Sequence, residues 1–167
     1  MSHIPPVSVA DMPESLSNLV EKGLSSGMLS SSIPVQVWAH RPAIALCWLE
    51  LLEQFHANSL LGDRLKELVR LKIASITQCQ ACQLARKSDA VTERDIACLD
   101  NGSDQFTLPE QAALNFAELF ASDYLKIDAG VFEALSAHFS TEEIVELNMF
   151  CALMLAGGRM TYVQKAY

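Results

Sequence analysis

Leu65-Lys-Glu67-Leu-Val-Arg70-Leu-Lys-Ile-Ala-Ser-Ile-Thr77-Gln-Cys79-Gln-Ala-Cys82 is a run of helix-forming residues that closes on a pair of cysteines. Its spacing predicts a helix from Arg64 to about Ile76, with Asp63 as its N-cap. Glu67, Leu71 and Ala74 share one face of that helix. The cysteines are three residues apart, so within a helix their sulfurs lie one turn apart on one face, a separation that suits both a reversible disulfide and two free thiols. Thr77 and Gln78 precede them and set Cys79 near a helix start, where the dipole and free N–H groups favour a thiolate. Arg86, four residues after Cys82, shares the face and adds a fixed positive charge.

Glu67 is twelve residues before Cys79, about 18 Å along one straight helix. The two meet only if the chain turns back, and Ser75, Thr77 and Gln78 mark the place. An antiparallel pair hinged at Ile76 to Gln78 sets Glu67 opposite Arg86, giving an acid, a cation and two thiols in one corner. Each part has a plainer reading. Glu67 could be a solvated residue beside Lys66 and Arg70, and Arg86 an ordinary surface cation. The pair could be inactive, or half of a zinc site. A structural zinc site needs four ligands, and neither a second such pair nor a ligand spacing among His40, His56 and His138 is present, so no metal and no cofactor is expected.

Working outward, Pro13 and Glu14 open a segment to about Met28, and Gly27 to Pro34 reads as a loop. Pro42 stands in the first turn of an apolar helix, Ala43 to His56. The cysteine-bearing segment runs from about Gln78 to Asp89. Thr92 caps a short helix ended by Asn101-Gly102. Thr107-Leu-Pro-Glu110 and Ser140-Thr-Glu-Glu143 are capping boxes, the first for a helix to Ser122 and the second for a last helix toward Tyr167. Asp128 to Phe139 is a further helix. No window alternates apolar and polar residues for long enough to demand a strand. The class is all-α, with six to eight helices. The last helix is apolar almost all round, which suits a core or a contact between subunits, and Gly157-Gly158 suits a close approach or a bend.

Composition narrows the function. Half of the 167 residues are apolar and 19% are charged, a globular balance. The formal charge of −8 and the lack of clustered Lys and Arg argue against a nucleic-acid partner. The proline-broken N-terminus does not read as a secretory signal. The longest apolar run, Met149 to Ala156, is far below the roughly 20 residues that span a bilayer, so no membrane and a cytoplasmic location are expected. Cys47, Cys98 and Cys151 sit singly in apolar contexts and read as buried small hydrophobes.

The Glu67–Cys79–Cys82 pattern resembles the AhpD-like, carboxymuconolactone decarboxylase superfamily. The likeness extends to His40-Arg41-Pro42 with its apolar helix, to Thr107–Ala117, and to Phe139–Leu147 with the closing helix and Arg159. It covers about Pro34 to Tyr167. Residues 1–33 then form an N-terminal helical extension and 34–167 one globular unit. The resemblance implies a single-domain AhpD-like helical fold that assembles as a trimer or hexamer, or a dimer. It implies a hydroperoxidase or disulfide-reductase reaction with a hydroperoxide substrate and a dithiol protein as reductant. It gives Glu67 the proton relay, Cys82 the place nearest that relay, and Cys79 the exposed place that meets the partner. Two positions depart from the family pattern. Its His after the second cysteine is Arg86 here, and its His or Tyr before that cysteine is Ala81. Arginine stays charged and cannot shuttle protons. A non-catalytic redox sensor and a decarboxylase-like lyase stand as the alternatives.

Overall fold

The computed structural model describes residues 2–99 and 105–167. Among these the chain is helical, with no strand. The α-helices are α1 (Glu14–Ser25), α2 (Ile33–Trp38), α3 (Pro42–Ala57), α4 (Asp63–Ile76), α5 (Gln80–Leu84), α6 (Glu93–Cys98), α7 (Leu108–Ser122), α8 (Ala129–Ser136) and α9 (Thr141–Gln164). Single 3-10 turns occupy Val9–Asp11 and Tyr124–Lys126. Nine helices among the described residues exceed the expected six to eight, and the excess is in short pieces. The sequence reading has no helix at α2, where Pro34 sits in the first turn and starts a helix rather than ending a loop.

The local signals that placed the longer helices act as their chemistry requires. Thr107 and Glu110 close a reciprocal capping box on α7, as do Thr92 and Asp95 on α6. The N–H of Ser140 donates to Glu143 and that of Glu143 to the Ser140 hydroxyl, at 2.8 and 3.2 Å. Asp128 caps α8. Gly62, not Asp63, is the N-cap of α4, and Asp63 lies in the first turn, where a carboxylate still suits the dipole. The Asn101-Gly102 end expected for α6 lies outside the described residues.

The chain divides into two compact units. The first takes the chain to Ser59 together with Met160–Tyr167. Its core joins Met12, Leu16 and Val20 to Val35, Ala39, Ala45 and Leu49, so residues before position 34 share a core with α2 and α3. Trp38 and Trp48 meet edge to face at 5.9 Å, and the Trp38 indole N–H donates to Gln164 Oε1 at 3.0 Å.

The second unit is Leu60–Arg159. α4 is its central element and packs chiefly on α7. Leu68, Leu71, Val91, Leu99, Phe106 and Leu114 form a core there, each fully buried Leu contributing about 2–3 kcal/mol. α4 also buries Glu67 and Lys72. A buried charge must be paired or hydrogen-bonded, and Lys72 Nζ meets Leu99 O at 2.9 Å and Glu118 Oε2 at 2.8 Å. Gly158 of α9 lies where an added Cβ would come within 2.9 Å of Thr77 Oγ1. That glycine lets α9 approach the end of α4.

α9 is long and apolar enough by length and composition to cross a bilayer, which the count of consecutive apolar residues does not reveal. Leu147, Phe150, Cys151 and Leu153 are buried, whereas Val145, Met149, Ala152 and Ala156 are exposed. Within one chain only one side of α9 is covered. Cys47 is exposed and Cys98 half-buried against the core of the second unit, contrary to the expected full burial. Cys151 is buried, and desolvation pushes its thiol up to about 12.

Candidate active site

α4 ends in a turn that sends the chain back along it. The N–H of Gln78 donates to Ser75 O and that of Cys79 to Ala74 O, at 3.1 and 3.2 Å. This is a Schellman pattern, in which one residue past the cap takes a left-handed conformation. That residue is Gln78, with φ of 54°, rather than the usual glycine. Cys79 follows as the N-cap of α5. The segment expected to stay helical to about Asp89 stops at Leu84, and Ala85 is already extended.

Cys79 and Cys82 are joined in a disulfide, their Cα atoms 5.2 Å apart. Cys79 is fully buried and Cys82 partly exposed. This reverses the expectation that Cys79 is the exposed member. The reason is the turn, which tucks Cys79 under the end of α4, its amide engaged by Ala74. Cys79 also makes no capping hydrogen bond through its side chain, and α5 has only five residues. A full helix dipole acting on Cys79 is therefore not part of this site.

The reversal of chain direction brings residues 85–87 back to Glu67, as the hinge argument expects, but with a different cation. Glu67 is 2% exposed. Its carboxylate accepts from Arg70 Nε at 2.7 Å and Arg70 Nη2 at 2.8 Å, a two-pronged pair within α4, and from the backbone N–H of Lys87 at 3.0 Å. Arg70 reaches further: Nη1 donates to Cys82 O at 2.6 Å and Nη2 to Ala85 O at 2.8 Å. One guanidinium thus ties the buried acid to the carbonyl end of the cysteine helix. Charge-assisted bonds of this kind are the strong ones, and they explain why α5 ends where it does.

Arg86 is turned elsewhere. Its Nε and Nη2 donate to Glu93 at 3.0 and 3.3 Å, and its Nη1 to the carbonyls of Gln83 and Ala85. The guanidinium on Glu67 is that of Arg70, not that of Arg86. The physical reason is reach: Arg70 sits three residues along the same helix face as Glu67, whereas the extended exit from α5 swings Arg86 toward α6.

Lys87 completes the group. Burial of its ammonium, with the nearby Arg70 cation, outweighs the attraction of Glu67 and lowers it from 10.5 to about 8. Neither Arg70 nor Lys87 stands out in the sequence as a site residue. The available signal was the three-residue spacing of Glu67 and Arg70, which puts an acid and a base side by side on any helix.

A second charged cluster lies at the other end of α4. Arg64 donates to Asp95 at 3.0 and 3.1 Å, to Glu110 at 2.7 Å and to Ala90 O at 2.6 Å. Asp95 also accepts from the N–H and hydroxyl of Thr92 and from Gln105. The Arg64 guanidinium, helped by Thr92 and Gln105, holds the Asp95 carboxyl well below the usual carboxylate range against the opposing effect of burial. Burial acts to raise Glu110, but the bonds from Thr107 and Arg64 prevail and lower it. Among the described residues no group of three His, Cys, Asp or Glu is placed to hold a metal ion.

No protein-family model matches this sequence, and no curated protein matches it. Solved structures do resemble it. The debrominase Bmp8 without ligand superposes with a TM-score of 0.81 at 19% identity, covering 100% of this chain and 92% of that one. A cysteine-to-alanine variant of Bmp8 in complex with 2,3,4-tribromopyrrole gives 0.80 at 18%, covering 100% and 91%. An uncharacterized peroxidase-related protein from Ralstonia eutropha JMP134, an alkylhydroperoxidase AhpD core, gives 0.78 at 18%, covering 99% and 91%. The fold is the all-α AhpD-like fold.

Proposed function

We propose that this chain is a thiol-dependent hydroperoxidase whose Cys79–Cys82 pair cycles between dithiol and disulfide. The observation that carries the reading is the asymmetric pair, with Cys79 sealed and Cys82 open, held against the buried Glu67–Arg70 pair. In this reading Cys82 is the attacking sulfur, because an oxidant reaches it and does not reach Cys79. Its thiolate takes the outer oxygen of a hydroperoxide and becomes a sulfenic acid, releasing the alcohol. The Cys79 thiol then displaces water to give the disulfide. A dithiol protein attacks at Cys82 and restores both thiols. Glu67 orients the corner through its bonds to Arg70 and the Lys87 amide, and Arg86 is a fixed cation at the exit of α5. Assembly of copies through the exposed Val145, Met149, Ala152 and Ala156 stripe of α9, in a reducing cytoplasm, belongs to the same reading.

The test is hydroperoxide consumption under a dithiol reductant, with peptide mapping of the cysteines. Wild type turns over many times and accumulates the Cys79–Cys82 disulfide when the reductant runs out, and Cys82→Ser is inactive. Equal rates for the two proteins sink the proposal. A disulfide that forms once without turnover points to a redox sensor, and muconolactone decarboxylation insensitive to thiol alkylation points to a lyase.

The likeness to a debrominase supports a second reading with the same two electrons. Two thiols become a disulfide while a carbon–halogen bond is replaced by carbon–hydrogen and halide leaves. Halide release from a brominated pyrrole, lost in Cys82→Ser, distinguishes it.

A further inference from the structure

We infer that Arg70 and Gln83 are positioning residues that hold the reduced cysteine turn in the shape of its disulfide, so that the two thiols stay within reach of each other after the bond opens. The inference rests on the hydroperoxidase reading for the step it serves, but its test needs no hydroperoxide. α5 has only five residues, and helices shorter than about 12–15 residues are marginal in water on their own. Once the Cys79–Cys82 bond opens, the shape of this turn depends on its ties to α4, and those ties do not involve sulfur. Ala74 O accepts from the Cys79 N–H at 3.2 Å and from Gln83 Nε2 at 3.2 Å. Arg70 donates to Cys82 O at 2.6 Å and to Ala85 O at 2.8 Å, and its guanidinium is itself fixed by the two-pronged bond to buried Glu67. The Ala74 carbonyl thus holds the Cys79 side of the turn and the guanidinium the Cys82 side. Gln83 bridges them, reaching from just past Cys82 back to the carbonyl that carries Cys79.

The step served is closure. The Cys79 sulfur bonds to the sulfenic sulfur of Cys82, the S–O bond breaks, and the hydroxide takes the Cys79 thiol proton and leaves as water. The hydroperoxide that made the sulfenic acid has already supplied the oxidising equivalents. Two sulfurs on one fixed frame, with Cα atoms 5.2 Å apart, meet at a high effective concentration. Closure then outruns a second oxidation of Cys82. The same frame disfavours the open dithiol, because it denies the reduced turn the conformational freedom it would otherwise gain.

The experiment equilibrates the full chain with reduced and oxidised dithiothreitol and quantifies the Cys79–Cys82 pair as dithiol or disulfide after alkylation. Two electrons and two protons pass from one dithiol to the other disulfide, so the ratio reads the equilibrium constant. Gln83→Met removes only the amide donor of a half-buried side chain. Arg70→Lys keeps a cation for Glu67 without the fork that reaches both carbonyls. Each moves the equilibrium about tenfold toward the dithiol, about 30 mV. Arg64→Met, which loosens the same unit away from the turn, leaves it at the wild-type value. Amide hydrogen exchange over residues 79–87 changes little when wild type is reduced, and rises in reduced but not in oxidised Gln83→Met. Gln83→Met and Arg70→Lys at the wild-type equilibrium overturn the inference. So does a wild-type turn that loses its protection on reduction, or an Arg64→Met shift as large as theirs. Wild type that consumes no hydroperoxide while the two variants still shift the equilibrium defeats the hydroperoxidase reading and leaves the positioning role in place.

Discussion

Two guanidinium–carboxylate clusters, built on arginines six positions apart in one helix, look alike and do different work. At the start of α4, Arg64 meets Asp95 and Glu110. Midway along it, Arg70 meets Glu67. In the first cluster every partner is itself a structural device: both carboxylates close capping boxes, and Arg64 pins the starts of α6 and α7 to α4. Among the described residues the Cys98 thiol reaches this cluster only through Gln105, which donates to Asp95, and it has no disulfide partner. In the second, the same kind of pair holds a segment carrying a disulfide and takes the backbone N–H of Lys87. A buried ion pair is therefore not by itself a mark of function. What separates the two is the cysteine pair, which the second cluster holds through the Cys82 carbonyl.

Four perturbations break or sharpen that contrast. The largest effect belongs to Arg70→Met. It strands Glu67, whose side chain is 1% exposed, and releases the carbonyls of Cys82 and Ala85. Urea unfolding gives a loss of about 3–5 kcal/mol, the cost of orphaning a buried charge, and the reduced thiols react less selectively. A loss confined to reactivity, with stability intact, removes the clamp role assigned to Arg70.

Arg64→Met comes next, at about 2–3 kcal/mol, discounted because 34% of the Arg64 side chain is still wet. Cys82 alkylation stays at the wild-type rate. A change there would show that the two clusters are not independent, since separated sites ordinarily add.

Third is the acid limb. A carboxyl held below its unfolded value contributes stability above that value and loses it as pH falls toward the folded one. For Asp95 the loss begins below about pH 4, where the unfolded carboxyl takes up its proton. Urea midpoints followed downward from there fall for wild type and are flatter for Asp95→Asn. Parallel slopes for the two proteins would remove Asp95 from the acid response.

Smallest is Arg86→Met. Its Glu93 partner is 80% exposed, and exposed pairs are worth at most about 1 kcal/mol. The thermal midpoint and the Cys82 alkylation profile change little. A rise of about one pH unit in the alkylation midpoint would return to Arg86 the electrostatic role that the sequence spacing suggests.

Much of this was legible before any coordinates. The helices that begin at Leu108, Ala129 and Thr141 carry their starts in the sequence as caps between groups within three or four residues of each other, and those at Glu14 and Pro42 as a proline at the helix start. The fold-back between Ile76 and Cys79 was legible for the same reason, as was the cysteine pair on one turn. α2 and the early end of α5 were not. Each is a single turn or little more, and the end of α5 is set by carbonyls captured twelve and fifteen residues away by Arg70.

The sequence by itself determined an all-α chain, a turn that doubles back after α4, and two sulfurs close enough to join. These rest on interactions between near neighbours, whose geometry the covalent chain already restricts. Only the tertiary structure decided which sulfur is sealed and which of several cations Glu67 takes. Spacing offered Arg70 and Arg86 alike to that carboxylate. The choice fell to the direction in which the chain leaves α5 and to the burial that leaves room for one guanidinium, and neither is a local property.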